Sequence, residues 1–302
     1  MDGTTLTGAV RILCVTASRD VKGNSGRRQA DGAVTPQNEA RLSRSRERGT
    51  VRAMAYGRPR TADGCVQAAV LRLTGDFELV VTGRRLAIPH SSERVLAYLA
   101  LADRPVARAR MAGALWVDGS DNAAAKSLRT ALWRLHRAGA DIVLAAANRL
   151  RLRPTVIVDF QELAGLARRL IGQPDADALS HLHRLVECIE LLPDWEDEWV
   201  IADRERFRLL RLEGLEAAAT ALMDRKQLGN ALIAALAAVH ADPLRESARR
   251  LVVQVQIAQG NLAEAIRSYV EYQRLLRDEF GVDPSPAMER LLEPLHHRET
   301  AG

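Results

Sequence analysis

Cationic and polar side chains recur at helical spacing in one short segment near the middle of the chain. On a helical wheel at about 100° per residue, one stripe of this segment is wholly apolar and is centred on Leu128. The opposite stripe holds the cations together with a hydroxyl and an indole, at positions Lys126, Arg129, Thr130, Trp133, Arg134 and Arg137. Arginine forms paired hydrogen bonds with guanine O6 and N7, and threonine contacts base edges. The pattern therefore predicts a helix whose exposed face reads the major groove of DNA.

An amphipathic surface helix with merely solvated charges would show part of the same pattern. Three features favour the DNA-reading interpretation. No acidic residue lies between Lys126 and Ala140, a large aromatic residue lies on the polar face, and a short helix precedes the segment at helix-turn-helix spacing. For Trp133, packing under a neighbouring hairpin stays open as an alternative. Trp116 ends an apolar helix and is expected in the core.

Two further groups of arginines flank the segment. Arg108 and Arg110 belong to the preceding helix and are expected to contact phosphates. After the segment, a predicted β-hairpin of residues 142–144 and 150–153 carries arginines at a period of two, at positions Arg149, Arg151 and Arg153. We interpret this hairpin as a basic wing that contacts a minor groove or flanking phosphates. A solvent-facing edge strand protected by charge is the alternative.

The elements predicted around these arginines follow the order of a winged helix-turn-helix. Alternation over residues 70–81 and 86–88, with turns at 74–76 and 82–84, predicts short antiparallel strands. Three helices are predicted next, the first of them capped by Ser91 or Ser92, near residues 91–102, 108–116 and 122–138. The predicted fold is mainly α, with this small α+β domain first.

Beyond residue 159 the strand signals end and only helices are predicted, near residues 160–171, 178–192 and 199–225. A period of 34 residues then aligns Leu228 with Leu262 and Ala231 with Ala265, as in tetratricopeptide repeats. Such helix pairs share one core and leave a groove, which would suit a protein partner with basic patches. Bundling with the winged domain, or dimerisation, is the alternative role of these helices.

Charge divides the chain into three parts. Residues 1–65 and residues 66–160 each carry a net charge of +6, whereas residues 161–302 carry −7. Residues 1–65 show no periodicity and are predicted to be disordered, either as a DNA-attracting tail, as a tail without a role, or through a mis-assigned start that precedes Met54. We therefore predict a disordered basic tail (1–65), a winged helix-turn-helix DNA-binding domain (66–158) and an all-helical domain (159–298).

Several classes of function are disfavoured. The longest apolar run, residues 231–239, is nine residues long, whereas a membrane-spanning helix needs about 18. No common nucleotide-binding or nucleophile motif occurs, so we expect neither an enzyme nor a cofactor. His181 and His183 would face different sides of a helix near Cys188, so no metal site is expected. The three cysteines are widely spaced, which fits a reduced cytoplasm.

Four blocks of sequence occur together in this chain. They are Leu115-Trp116-x-Asp118, residues 128–135, Trp199 with residues 203–206, and residues 260–286 with their closing Pro-Ser-Pro. With these blocks, residues 71–297 resemble the Streptomyces antibiotic regulatory protein family, whose carboxy-terminal part is a tetratricopeptide-like bacterial transcriptional activator domain. The chain departs from the family pattern at His136, where family members often carry arginine, and in the short, alanine-rich segment 141–149.

The resemblance implies an OmpR-type winged helix that binds promoter direct repeats and helps recruit RNA polymerase. The expected partners are double-stranded DNA, RNA polymerase holoenzyme and a second copy of the chain on DNA, without a membrane. The expected location is the cytoplasm, at the nucleoid. The leading hypothesis is thus a sequence-specific transcriptional activator. The alternative is a tetratricopeptide-type adaptor whose winged domain no longer reads DNA.

Overall fold

The structure is a computed structural model and describes residues 68–292, which begin with a small sheet. Strands β1 (Ala69–Arg72) and β2 (Glu78–Val81) pair in antiparallel register, and β2 pairs with the short β3 (Arg84–Arg85). The predicted hairpin is confirmed. The bounds of the strand expected at 86–88 are wrong, since β3 is Arg84–Arg85 and only one further backbone bond, from the Leu86 amide to the Leu79 carbonyl at 2.8 Å, follows it. The predicted basic tail, residues 1–65, lies outside the described residues.

Three helices follow the sheet, as predicted: α1 (His90–Ala102), α2 (Arg108–Leu115) and α3 (Asp121–Arg137). The Ser120 hydroxyl caps α3 by accepting a hydrogen bond from the Ala123 amide at 3.4 Å. The expected serine cap of α1 is wrong, because the residue before this helix is Pro89 and neither serine caps it. Ser92 is instead buried, and its hydroxyl donates to the Ala131 carbonyl at 3.1 Å, which ties α1 to α3.

A second sheet forms beside these helices. Strand β4 (Val106–Ala107) pairs with β6 (Arg149–Leu152), which also pairs with β5 (Val143–Ala146). We call the hairpin of β5 and β6 the wing. Its two-residue turn, Ala147–Asn148, has positive φ at both positions (44° and 62°), which matches the twist of a tight hairpin. The hairpin confirms the prediction, whereas β4 is too short to have a recognisable sequence signal.

The chain then returns to the first sheet. Strand β7 (Val156–Val158) pairs in parallel with β1, and helix α4 (Asp159–Gly172) follows it directly. The Asp159 carboxylate accepts hydrogen bonds from the amides of Leu73 at 2.8 Å and Phe160 at 2.6 Å, so it joins the end of β1 to the start of α4. One cluster of buried residues includes both the strands and α4, and therefore continues across residue 159.

Helices make up the rest of the described chain: α5 (Ala176–Ser180), α6 (His183–Val186), α7 (Glu198–Asp224), α8 (Leu228–Ala241), α9 (Glu246–Ala258), α10 (Leu262–Phe280) and α11 (Pro286–Glu289). Helices α8 and α10 begin at Leu228 and Leu262, the two positions that the 34-residue period aligns. The single helix expected over 178–192 is wrong, because the segment forms α5, α6 and an irregular stretch. No helix within residues 68–292 is long and apolar enough to cross a membrane.

We call the irregular stretch, residues 187–197, the docking loop. Its backbone bonds to the β1–β2 turn, with the Leu192 amide donating to the Leu73 carbonyl at 2.9 Å and the Gly75 amide donating to the Glu190 carbonyl at 2.8 Å. Arg204 of α7 donates to the carbonyls of Leu191, Leu192 and Trp195. These bonds use the backbone groups that a helix would need internally, which explains why no helix forms here.

Candidate nucleic-acid interface

Helix α3 has the two-sided character that its sequence predicts. Its buried residues, Ala124, Leu128, Ala131 and Leu135, form one stripe against the core. The opposite stripe is exposed at each of its six positions, Lys126, Arg129, Thr130, Trp133, Arg134 and Arg137, and we call it the basic face. An apolar stripe against the core leaves the other side of an amphipathic helix in solvent. The basic face is therefore free to contact a partner.

The charges of the basic face are not neutralised within the protein. Among residues 68–292, no acidic side chain forms an ion pair with any of its four cations. The Trp133 side chain is 56% exposed, so the alternative prediction that it packs under the wing is wrong. The guanidinium of Arg137 lies 5.2 Å from the centroid of the Trp133 ring, a cation–π arrangement between two exposed side chains.

Helix α2 and the turn of the wing lie beside α3. Arg108 at the start of α2, Arg129 of α3 and Asn148 of the wing turn line one open cleft of about 440 Å³. The Arg108 amide donates to the Asn148 carbonyl at 3.0 Å, which fixes the wing turn against the helix. Arg110 is exposed two residues further along α2. The structure thus brings the basic face, the start of α2 and the wing turn together.

The three wing arginines differ in how they are held. Arg151 is exposed and makes no side-chain hydrogen bond or ion pair within the described residues. Arg149 is exposed, but it donates to the Pro105 carbonyl at 3.2 Å. Arg153 is bound to Asp141 twice, through Nη2 to the carboxylate at 2.6 Å and through Nε to the backbone carbonyl at 2.8 Å. The charge of Arg153 is therefore already paired, unlike that of Arg151.

Two residues near this surface were missed by the sequence reasoning. The Asn148 carbonyl accepts a hydrogen bond from the first residue of α2. The two-residue turn that contains Asn148 could have indicated this position in the sequence. Arg104 is exposed and lines a small cleft with Arg151. Its proximity to the wing follows only from the pairing of β4 with β6, which a two-residue strand does not reveal in sequence.

Two potentially reactive side chains outside this surface, those of Asp197 and Cys188, are held by contacts within the protein. Asp197, the last residue of the docking loop, binds Arg94 of α1 and accepts from the Trp199 indole at 3.2 Å. Cys188 is half-buried, and burial raises the pKa of its thiol to about 11. No group of three or more potential metal ligands occurs among residues 68–292.

The arrangement defines a winged helix-turn-helix domain followed by a helical-repeat domain. Residues 158–296 match the family model described as bacterial transcriptional activator domain. This match and the relatives described next support the resemblance to the Streptomyces antibiotic regulatory protein family that the sequence blocks indicate.

The proteins similar to this chain include two curated relatives and a solved structure. Regulatory protein AfsR of Streptomyces coelicolor is 26% identical over 242 residues, which cover 76% of this chain and 24% of the relative. Regulatory protein AfsR of Streptomyces griseus is 42% identical over 59 residues, which cover 20% and 6%. The chain thus spans about a quarter of the length of the first relative. EmbR of Mycobacterium tuberculosis, solved with a low affinity phosphopeptide, shares the fold with a TM-score of 0.64 at 19% identity, covering 77% of this chain and 66% of EmbR.

Proposed function

We propose that this chain is a sequence-specific DNA-binding transcriptional activator that binds promoter direct repeats and helps recruit RNA polymerase, in the cytoplasm at the nucleoid. The observation that carries the proposal is the basic face of α3, which is exposed and holds four cations without an acidic partner among the described residues. A helix face that is merely solvated usually mixes both signs of charge. The match to a bacterial transcriptional activator domain and the similarity to regulatory protein AfsR support the same function.

In the proposed complex, α3 lies in the major groove. Arg129 and Arg134 form paired hydrogen bonds with guanines, which supply sequence preference. Arg108 and Arg110 at the start of α2 bind phosphates and set the position of the protein on the duplex. Arg149 and Arg151 of the wing contact the adjacent minor groove or its phosphates. Trp133, held against Arg137, contacts sugars and base edges between these arginines.

Activation is assigned to the helical-repeat domain. Two copies bind a direct repeat in the same orientation, with half-sites about one helical turn apart. Each copy then presents its acidic carboxy-terminal part, with a net charge of −7 over residues 161–302, to basic surfaces of RNA polymerase holoenzyme. Recruitment is tested by in vitro transcription from a promoter that carries the bound repeat, with and without the protein.

DNA reading is tested by selection of bound sites from a random duplex pool with the full chain, followed by gel shifts on the recovered site. We expect Arg129→Ala and Arg134→Ala each to cost about 1–3 kcal/mol of specific binding. Arg274→Ala serves as the matched control, because Arg274 is an exposed arginine of α10 without an ion pair among the described residues. Unchanged affinity in both α3 variants would refute the assignment.

The same experiments distinguish the adaptor function. The observation in its favour is a set of exposed apolar side chains on the repeat helices, Ile233 and Leu236 of α8 and Ile266 of α10. An adaptor would recover no sequence from the pool and would bind DNA with little salt dependence. A recovered direct repeat excludes this alternative, since it requires base-specific contacts.

A further inference from the structure

A cavity of about 690 Å³ lies in the helical-repeat domain, between α5 and α6 on one side and the junction of α7 and α8 on the other. Its volume falls within the range of about 300–1,000 Å³ typical of small-molecule sites. None of the residues that line it belongs to the basic face or the wing. The proposed contacts with DNA therefore leave this cavity without a function.

The floor of the cavity is apolar. Leu182 and Leu222 are buried, and Leu179 and Val186 are half-buried beside them. Ile233 of α8 also lines the cavity, and 53% of its surface is exposed. Exposed apolar surface of this kind gains free energy when a ligand removes it from water. The floor thus favours a ligand with an apolar body.

The rim of the cavity carries unused hydrogen-bonding groups. The side chains of His183, Gln227 and Asn230 form no hydrogen bond within residues 68–292. Arg225 donates once, to the Pro174 carbonyl at 2.6 Å, and a guanidinium has five N–H donors. Glu187 is the one carboxylate among the residues that line the cavity in the described chain. Arg225 is the one arginine or lysine among those residues, and its unused N–H groups favour a ligand with an anionic or oxygen-rich group.

We infer that this cavity binds a small amphipathic organic molecule, with its apolar body on the leucine floor and an anionic or oxygen-rich group facing Arg225 and His183. The site has a direct connection to the winged domain. The docking loop begins at Glu187 on the cavity wall and reaches the β1–β2 turn through Glu190 and Leu192. A ligand against α6 therefore binds one end of a segment whose other end contacts the DNA-reading domain. The inference does not depend on the proposed DNA binding.

The test uses 1-anilinonaphthalene-8-sulfonate as the probe, because it combines an aromatic body with a sulfonate and fluoresces when it leaves water. Titration of the full chain is expected to show one saturable site. Asn230→Trp fills the mouth of the cavity at an exposed residue without a hydrogen bond, and it should abolish that site. Ala263→Trp, at an exposed residue of α10 outside the cavity, is the control and should bind as the parent does.

A second variant tests the polar group separately. Arg225→Gln should weaken probe binding by about tenfold or more, the effect of losing a charge-assisted hydrogen bond. Arg274→Gln, at an exposed arginine of α10, should leave the dissociation constant unchanged. Far-ultraviolet circular dichroism establishes that each variant is folded. The inference is overturned if the parent shows no saturable binding, or if Asn230→Trp or Arg225→Gln retains the parental dissociation constant.

Discussion

The pairing of Arg153 with Asp141 leads to a quantitative prediction for the salt dependence of DNA binding. Each cation that neutralises a phosphate contributes about 0.9 to the slope of log K against log salt concentration. Arg134 is exposed and without an ion pair among the described residues, whereas Arg153 has its charge neutralised by a carboxylate at 2.6 Å. We therefore expect Arg134→Gln to reduce the slope by about 0.9 and Arg153→Gln to leave it nearly unchanged.

A third variant is expected to change the slope in the opposite direction. Asp141→Asn removes the carboxylate that pairs with Arg153, so this arginine becomes available to a phosphate and the slope should increase by up to about 0.9. The assay is fluorescence anisotropy with a non-specific duplex, at salt concentrations from about 50 to 200 mM. Equal reductions in Arg134→Gln and Arg153→Gln would refute the reasoning, and so would an unchanged slope in Asp141→Asn.

Two further predictions concern the packing of the helical-repeat domain. A Cβ at Gly214 would lie 3.1 Å from both Cα and Cβ of Ala167 on α4, so Gly214→Val should lower the free energy of unfolding in urea by about 1–3 kcal/mol. Gly229→Val, where nothing lies within 4 Å, is its control. For Cys188, a pKa raised from 9.0 to about 11 should slow alkylation at pH 8 by about a hundredfold relative to the urea-unfolded chain, because only the thiolate reacts. Mass spectrometry of the Cys188 peptide measures both rates, and equal rates would contradict the assigned burial.

The helices of the winged domain could be predicted because their signals are local. The apolar stripe of α3 depends only on spacing within 17 residues, and the same spacing placed Trp133 on the exposed side. Ser92 shows where such reasoning fails. A serine near the start of a helix is a good cap in sequence terms, but its hydroxyl is used by Ala131, which lies 39 positions away in the chain. Local patterns contain no information about that partner.

In the wing, too, local features could be predicted from the sequence, whereas contacts between distant residues could not. Its period of two was visible in sequence and predicted that Arg151 and Arg153 project from one face of the strand, with Arg149 at the tip. The structure exposes Arg149 and Arg151, whereas Arg153 is half-buried and paired with Asp141. The sequence also contained Asp141, but nothing in it indicated that this carboxylate pairs with Arg153 across the hairpin base. Ion pairs between neighbouring strands depend on register, and a shift of one residue would have placed Arg153 on the opposite face.

Residues 187–192 were expected to be helical but form the first part of the docking loop, and the reason bears on the proposed activation. Its backbone is bonded to the β1–β2 turn, and Arg204 holds its carbonyls from the side of α7. Because these bonds and a shared buried cluster join the winged domain to the helical repeats, we expect the two parts to keep one relative orientation. In the proposed complex, the orientation of the repeats along the promoter is then fixed by the half-site that α3 reads. A direct repeat therefore presents both acidic surfaces in the same direction, whereas a palindrome would turn one of them away from the polymerase.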